Sequence, residues 1–258
     1  MDDIVVRECV TIDELDNCVR LQRDVFGLPD LEISPRRHLI VSRQAGGWTL
    51  GAFIDSGELV GFVHHLAAID EARNIFGYSH MMAVSKEHQN RGVGARLKWS
   101  QRERALSVGQ VLIRWTWDPM QARNAHFNLN RLGVTVREYA QNFYGTDYPQ
   151  ELQRENAPVP GIDSDRLFAR WALRSHRVNA LGNGEVAPKL PQPDCEIAVP
   201  SDWATLLTHD TEAARREQLR VRTRFQEALA AGLICAAFDR KAALPKYLLY
   251  RKEALPSA

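Results

Sequence analysis

The segment from Met81 to Leu97 constrains the fold more than any other part of the sequence. It runs from an apolar stretch ending at Val84, through a turn with Gly92 and Gly94, into a helix with one apolar and one basic face. Glycine permits unusual backbone dihedrals and lets a ligand approach the main chain closely. The first N–H groups of a helix lack internal partners and carry a partial positive charge. The segment therefore predicts a strand–turn–helix unit that suits a pyrophosphate.

Two familiar nucleotide-binding motifs do not fit this turn. A P-loop needs Gly-Lys-Ser/Thr, whereas Gly94 is followed by Ala95 and Arg96. A dinucleotide-binding turn needs a small residue at the position that Leu97 fills, and it needs an N-terminal βαβ unit that the sequence lacks. The sequence therefore predicts neither a P-loop protein nor a dinucleotide-binding domain.

The pattern around the turn predicts a mixed α/β fold. Thr11 and Glu14 form a capping box before a helix that extends to about Phe26. The residues 55–58 have the composition of a hairpin turn between two strands. Over residues 3–175 the predicted order is β-α-α-β-β-β-α-β-α-β-β, which is a mixed α/β order.

The remainder of the chain divides into a linker and a short tail. Glycines and prolines between residues 177 and 194 predict a linker. Residues 195–258 then follow a β-α-β-β order in a segment too short for a large core of its own. We therefore expect this extension to dock on the first domain, residues 1–176. Its order echoes that of residues 111–173, which leaves open either a half-repeat or convergent α/β patterning.

Composition and charge exclude several classes of function. Of the 258 residues, 45% are hydrophobic and 25% are charged, the mix of a globular protein that needs no disulfide or metal to fold. The net charge of +1 predicts no binding to nucleic acid or to a membrane surface. The four cysteines form no C-x-x-C pair and the first residues contain no apolar leader, so we expect a cytoplasmic protein with reduced thiols.

The turn fits the pattern Gln/Arg-x-x-Gly-x-Gly/Ala, with Gln89, Gly92 and Gly94 at its defined positions. In this pattern and in the order of its elements, the chain resembles the GNAT superfamily of acetyltransferases over residues 3–175. The resemblance implies a GNAT fold with a central, mostly antiparallel, splayed sheet flanked by helices. It also implies acetyl-CoA or another acyl-CoA as cosubstrate, and no metal. The residues that it places on CoA are Met82, Ala83, Val84, Gln89, Asn90, Arg91, Gly92, Val93, Gly94, Ala95 and Asn124.

The reaction implied by the resemblance needs a neutral amine, because an ammonium group has no lone pair, and a base can supply one. Relatives that hold a base place it on the strand before the turn, which here points to His80. Period-2 alternation predicts that Tyr78, His80 and Met82 share one face of that strand. His64 and His65 on the neighbouring strand remain rivals, of which only one can face the cleft.

The general acid departs from the family pattern. Many relatives carry a tyrosine at the position of Leu129, and leucine cannot protonate a departing thiolate. Tyr139, Tyr144 and His126 are the candidates for this role. In the absence of such a group, the thiolate leaves unassisted into water.

The run from Trp117 to Asn128 also resembles a bacterial subgroup of predicted acetyltransferases, some of which N-acylate or N-succinylate amino acids. The predicted function is therefore transfer of an acetyl or related acyl group, succinyl included, from acyl-CoA to a primary amine of a small molecule such as an amino acid. The alternative is a catalytically weak CoA-binding or regulatory protein. The predicted partners are CoA and the amine acceptor, and a homodimer is left open.

The acceptor pocket is expected to be bounded by the loop 26–34, the second helix and the loop 139–165. A carboxylate on the acceptor would need a cation, for which the candidates are Arg36, Arg37, Arg43 and Arg73. Asn128 and Asn130 could line the acyl pocket or face solvent. Asp165 and Arg166 are predicted to form a structural ion pair.

Overall fold

The computed structural model describes residues 4–27, 30–147 and 161–256. The chain groups into two compact units, Met1–Arg114 and Trp115–Ala258, called unit 1 and unit 2 here. Each unit is mixed α/β with mostly antiparallel strands, as the sequence predicts. This division does not follow the expected boundary after residue 176, so the domain assignment 1–176 stays a prediction. Within the described ranges, every helix is too short or too polar to span a bilayer.

The described part of unit 1 is a sheet with three α-helices. Its elements are β1 (Val5–Glu8), α1 (Ile12–Phe26), α2 (Arg36–Gln44), β2 (Trp48–Phe53), β3 (Leu59–Ile69), β4 (Ile75–Val84), α3 (Val93–Ser107) and the start of β5 (Leu112–Trp117). The strand order is β1-β2-β3-β4-β5, in which neighbours are antiparallel except for the parallel pair of β4 and β5.

Local sequence signals account for the elements of unit 1. The Thr11 hydroxyl accepts a hydrogen bond from the Glu14 N–H at 3.2 Å, and the Glu14 carboxylate accepts one from the Thr11 N–H at 3.0 Å, which confirms the predicted capping box. Gly27 ends α1 with a left-handed φ of 60°. The apolar face of α1 packs into a core with β2, β3 and β4, formed by Leu15, Cys18, Leu21, Phe53, Leu59, Phe62 and Ala83.

A β-bulge interrupts β4 and corrects the prediction that His80 shares a face with Met82. His64 lies opposite Met81 and His65 lies opposite Ser79, so His80 is the extra residue in the register. A bulge redirects the side chains that follow it. His80 therefore lies beside His64, on the α2 face. The Met82 side chain lies on the α3 face, where its Cε is 3.5 Å from the position of a Cβ added at Gly94.

Unit 2 contains the remaining elements. They are the end of β5, α4 (Ala122–His126) followed by a π-helical turn (Phe127–Arg131), β6 (Thr135–Ala140), β7 (Thr146–Asp147), β8 (Ile162–Asp163), β9 (Arg166–Ala172), α5 (His176–Gly182), β10 (Cys195–Ala198), α6 (Trp203–His209), α7 (Thr211–Ala230), β11 (Ile234–Asp239) and β12 (Lys246–Tyr250). The sheet order is β9-β6-β11-β12-β10, and β7 and β8 form a separate hairpin.

Several elements of unit 2 differ from the sequence prediction, among them two helices. The stretch expected to be a linker begins with helix α5, because Ser175 caps its first turn by accepting a hydrogen bond from the Val178 N–H. Helix α6 was not predicted; its N-cap is Asp202, whose side chain accepts a hydrogen bond from the Thr205 N–H.

The C-terminal extension packs against the preceding part of unit 2. Strand β11 pairs with β6 at Cys235 and Val136. The buried Tyr247 hydroxyl donates a hydrogen bond to the carbonyl oxygen of Pro119 at 2.7 Å. In the sheet order β9-β6-β11-β12, β6 and β11 are neighbours at the centre, and the next strand of this sheet in sequence lies on the outer side of each. This arrangement is consistent with the half-repeat, which stays a prediction.

Candidate active site

The predicted phosphate turn is an irregular segment that the backbone and one side chain hold in place. Asn90 and Gly92 both have left-handed φ angles, of 62° and 84°. The Gln89 amide donates a hydrogen bond to the carbonyl oxygen of Val84 at 3.0 Å, which ties the turn to the end of β4. The Gln89 side chain thus has a local structural role at the start of the turn.

The start of α3 offers backbone donors to a ligand. Gly92 is the N-cap and has no side chain with which to cap the helix. The N–H groups of Val93, Gly94 and Ala95 belong to the first turn, in which an α-helix has no internal acceptors. Val93 is buried and anchors the helix, while Gly92 is exposed. This end of α3 can therefore bind an anion.

Strands β4 and β5 pair only near the start of β4 among the described residues. The paired positions are Gly77 with Ile113 and Tyr78 with Arg114, whereas the pairing of β4 with β3 continues to Val84. From Met82 to Val84, the side of β4 that faces away from β3 is therefore not paired with β5 among these described residues, and its backbone groups can pair with a ligand. This geometry agrees with the splayed sheet that the resemblance implies.

His80 lies in a cluster of three histidine rings within unit 1. Its ring centroid is 5.5 Å from that of His38 on α2 and 5.9 Å from that of His64 on β3. His80 keeps part of its surface exposed. Burial, and then the neighbouring His38, lower the pKa of His80 below the usual 6.5, so the ring is neutral at neutral pH and can accept a proton.

The rival histidines are both fully buried and hydrogen-bonded. His64 Nδ1 lies 2.8 Å from the Thr49 hydroxyl, and its Nε2 lies 3.1 Å from the Ser42 hydroxyl. His65 stacks on Trp48 with a centroid separation of 3.7 Å. Burial lowers the pKa of each of these two histidines to about 3. His64 faces α2 and His65 faces the α3 side, so alternation separates them as predicted, and neither is open to solvent.

Tyr144 in unit 2 has the features expected of an accessible acid. Its side chain is exposed, and its hydroxyl lies 3.2 Å from the Thr116 hydroxyl on β5. The Tyr144 N–H donates a hydrogen bond to the Ser164 hydroxyl at 2.7 Å, which fixes the backbone below the ring. The Arg166 guanidinium carbon lies 5.0 Å from the centre of the ring.

Tyr139 is held in a buried ionic network. Its hydroxyl donates a hydrogen bond to Asp165 Oδ2 at 2.5 Å, and the Arg222 guanidinium donates to both Asp165 and Asp163. Burial, and then the hydrogen bond to Asp165, raise the pKa of Tyr139. The Tyr139 hydroxyl thus already donates its hydrogen bond to the Asp165 carboxylate, which favours a structural role for Tyr139. The carboxylate of Asp165 pairs with Arg222, whereas the described contact of Arg166 with Asp165 is a hydrogen bond to the carbonyl oxygen, which corrects the predicted Asp165–Arg166 ion pair.

The helix α4 and its π-helical turn carry the other predicted residues. Asn124 is exposed on α4 and therefore accessible to a ligand, and Leu129 is fully buried. His126 is half-buried, and burial lowers its pKa. Asn128 is buried, whereas the Asn130 side chain accepts a hydrogen bond from the Phe238 N–H at 2.9 Å. Asn130 thus binds the C-terminal extension.

Two of the four predicted acceptor cations have other partners. Arg36 forms an ion pair with Asp16 at 2.7 Å. Arg43 donates a hydrogen bond to the carbonyl oxygen of Val10 at 3.2 Å. Residues 28–29 and 148–160 of the loops expected to bound the acceptor pocket lie outside the described residues.

Sequence reasoning missed three residues of these arrangements. His38 follows no motif, and only the packing of α2 on the sheet brings it to His64 and His80. Arg222 and Tyr247 lie on α7 and β12, far along the chain from their partners Asp165 and Pro119. Residue spacing carried no signal for these contacts.

Comparisons with known proteins identify the type of fold. Residues 15–133 match the model of the Acetyltransferase (GNAT) family. The chain is similar in structure to the ribosomal-protein-S18-alanine N-acetyltransferase from Escherichia coli, with a TM-score of 0.51, 11% identity, and coverage of 66% of this chain and 94% of that one. An N-acetyltransferase from Staphylococcus aureus gives a TM-score of 0.51, 10% identity, and coverage of 67% and 99%. At such identities the likeness shows the fold alone. No curated protein matches the chain in sequence.

Proposed function

We propose that the protein is a member of the acetyltransferase (GNAT) family, whose model matches residues 15–133, and that it transfers an acyl group from acyl-CoA to an amine. The observation that carries this proposal is the turn Gln89–Gly94, which presents the unpaired N–H groups of α3 directly after a strand with an open edge. We further propose that residues 1–176 form the acyltransferase domain, and that residues 195–258 are an extension docked on it.

The residues of unit 1 suit the binding of acyl-CoA. The N–H groups of Val93, Gly94 and Ala95 would bind the pyrophosphate, and the backbone of Met82–Val84 would pair with the pantetheine arm. On α4, the exposed side chain of Asn124 is the proposed further contact to this arm.

The proposed reaction joins the amine nitrogen to the carbonyl carbon of the thioester. A C–N bond forms, the C–S bond breaks, and CoA leaves as a thiolate. His80 takes the proton that the amine loses, since its lowered pKa keeps the ring neutral. Tyr144, or else water, returns a proton to the thiolate; Tyr139 is the weaker candidate because Asp165 holds its hydroxyl.

The acceptor is proposed to be a primary amine of a small molecule, with an amino acid as the first candidate and acetyl or succinyl as the acyl group. The proposed location is the cytoplasm. The edge of β6 is already paired with β11, so a homodimer would have to use another surface.

The test is release of free thiol from acetyl-CoA and succinyl-CoA in the presence of a panel of amines and amino acids. The proposal expects thiol release that depends on both the acyl-CoA and one class of amine, and that falls in His80→Gln. The second candidate function, a CoA-binding protein without catalysis, is favoured by the buried Leu129 at the position of the family tyrosine. Tight binding of CoA without thiol release for any amine would support it.

A further inference from the structure

Three histidines from three different elements of unit 1 converge in space. His38 comes from α2, His64 from β3 and His80 from β4. Each offers one ring nitrogen, and these three nitrogens all lie within 4.8 Å of one another. The ring centroids are 5.4, 5.5 and 5.9 Å apart. The β-bulge at His80 creates the cluster, because it aims this ring at the same face as His64.

The spacing is close to that of a three-histidine metal centre. With Zn–N distances of about 2.1 Å and tetrahedral angles, ligand nitrogens lie about 3.4 Å apart and ring centroids about 5 Å apart. The observed centroid separations of 5.4 to 5.9 Å exceed this value slightly. The three candidate nitrogens, which lie within 4.8 Å of one another, would approach each other further on binding the ion.

One atom of the cluster lacks an explanation without a ligand. His38 Nε2 is buried, and none of the described residues forms a hydrogen bond with it. A buried polar atom without a partner costs free energy and points to a missing water or ion. Packing alone explains the burial of His38 but leaves this nitrogen unsatisfied.

We propose that His38, His64 and His80 bind a divalent transition-metal ion, with Zn²⁺ as the reference ion. Imidazole is a preferred ligand of Zn²⁺, Ni²⁺ and Cu²⁺, whereas Mg²⁺ and Ca²⁺ prefer oxygen. Three protein ligands leave a fourth position, which can lie on the side where His80 remains exposed. Metal binding requires neutral imidazoles, and the two ring nitrogens of His64 contact the uncharged hydroxyl groups of Ser42 and Thr49.

The partners of His64 allow it to become a ligand without a net change in protons. The Ser42 hydroxyl donates to the carbonyl oxygen of Leu39 at 3.0 Å, so His64 Nε2 carries the proton and donates to Ser42, while Nδ1 accepts from Thr49. With Nε2 as the ligand atom, His64 would give up its contact with Ser42, and the ring proton would lie on Nδ1 and be donated to the Thr49 oxygen. The hydrogen bond to Thr49 would thereby hold the ring in a fixed orientation toward the metal.

A bound metal would prevent His80 from acting as a base. A neutral imidazole has a single lone pair, and coordination occupies it. Zn²⁺ would therefore inhibit acyl transfer. This consequence rests on the proposed function, whereas metal binding itself does not.

The test is calorimetric titration of the chelator-treated full-length protein with ZnCl₂ alone, at pH 7.5 and without CoA. We expect one high-affinity ion per chain. His38→Ala and His80→Ala should each weaken binding by at least about tenfold, since even a second-shell change costs 10- to 100-fold. His176→Ala, which changes a histidine at the start of α5, is the matched control and should bind like the wild type.

Substitution with Co²⁺ provides the second measurement, because tetrahedral Co²⁺ with nitrogen ligands absorbs intensely in the visible range. Circular dichroism of the metal-free variants checks that each is folded. The proposal is wrong if the wild type binds no Zn²⁺, or if His38→Ala and His80→Ala bind it as tightly as His176→Ala. Inhibition of thiol release by Zn²⁺ is a separate readout, and its absence with binding intact would contradict the role of His80 as base and not the metal site.

Discussion

Gly92→Ala tests the proposed phosphate turn with little disturbance of its packing. Gly92 has a φ of 84°, and a Cβ added there meets no protein atom within 4 Å. Alanine at a left-handed φ costs about 1–2 kcal/mol. Because protein atoms leave this position open, the new methyl group meets only solvent or a bound ligand. The substitution should therefore weaken CoA binding by about tenfold, equivalent to about 1.4 kcal/mol.

Gly57→Ala is the matched control for the backbone strain. Gly57 lies in the turn between β2 and β3 with a φ of 83°, and a Cβ there also meets nothing within 4 Å. Both variants should lose about 1–2 kcal/mol of unfolding free energy. Each kcal/mol should lower the unfolding midpoint by about 2–4 °C. Only Gly92→Ala should also bind CoA more weakly than the wild type.

Calorimetric titration with CoA measures the affinity of each variant, and urea and thermal unfolding without CoA measure the stability and the midpoint. The comparison of the two variants separates a loss of binding from a loss of folded protein. If Gly92→Ala and Gly57→Ala bind CoA with the same affinity, the turn does not hold the pyrophosphate and the assignment of this site is refuted.

Three further predictions concern catalysis and the extension. His80→Gln should lower kcat by about 10²- to 10⁴-fold with CoA affinity unchanged. Because the His80 pKa is lowered, the rate of the wild type should fall on the acid side only below pH 6.5, where His80 becomes protonated. A midpoint of this fall above pH 6.5 would contradict the assignment of His80 as the base. Tyr144→Phe should lower kcat without a change in stability, whereas Tyr139→Phe should cost about 1–3 kcal/mol of unfolding free energy because Asp165 loses a buried hydrogen bond. Steady-state kinetics and urea unfolding of both variants measure this difference. The reverse pattern would contradict the two assigned roles. A chain ended at Ser175 should aggregate because it uncovers the β6 edge, and a monodisperse, equally stable product in sedimentation and thermal unfolding would contradict the docked extension.

The parts of the fold that local chemistry specifies could be predicted from the sequence. The capping box of Thr11 and Glu14 and the turn at Gly92 depend on residues a few positions apart, and both are present as expected. The alternation that separates His64 from His65 depends only on strand geometry. Each of these features is decided within a single element or turn.

The parts that depend on pairing between distant segments could not be predicted. The direction of the His80 side chain follows from a bulge, and the register of β3 against β4 decides where that bulge lies. Asp165 was expected to pair with the adjacent Arg166, but the buried carboxylate meets Arg222 on α7. The packing of α2 leaves His38 Nε2 without a hydrogen-bond partner among the described residues, and no local pattern encodes this. The candidate site therefore combines a motif that is legible in sequence with side chains that only the tertiary structure brings together.

The central claim is that this protein binds acyl-CoA, and the most direct test is its thermal unfolding with and without CoA. Ligand at 100 times its Kd should stabilise the folded protein by about 2.7 kcal/mol. We predict a midpoint that rises with the concentration of CoA or acetyl-CoA. A midpoint that stays constant up to millimolar CoA would contradict the account.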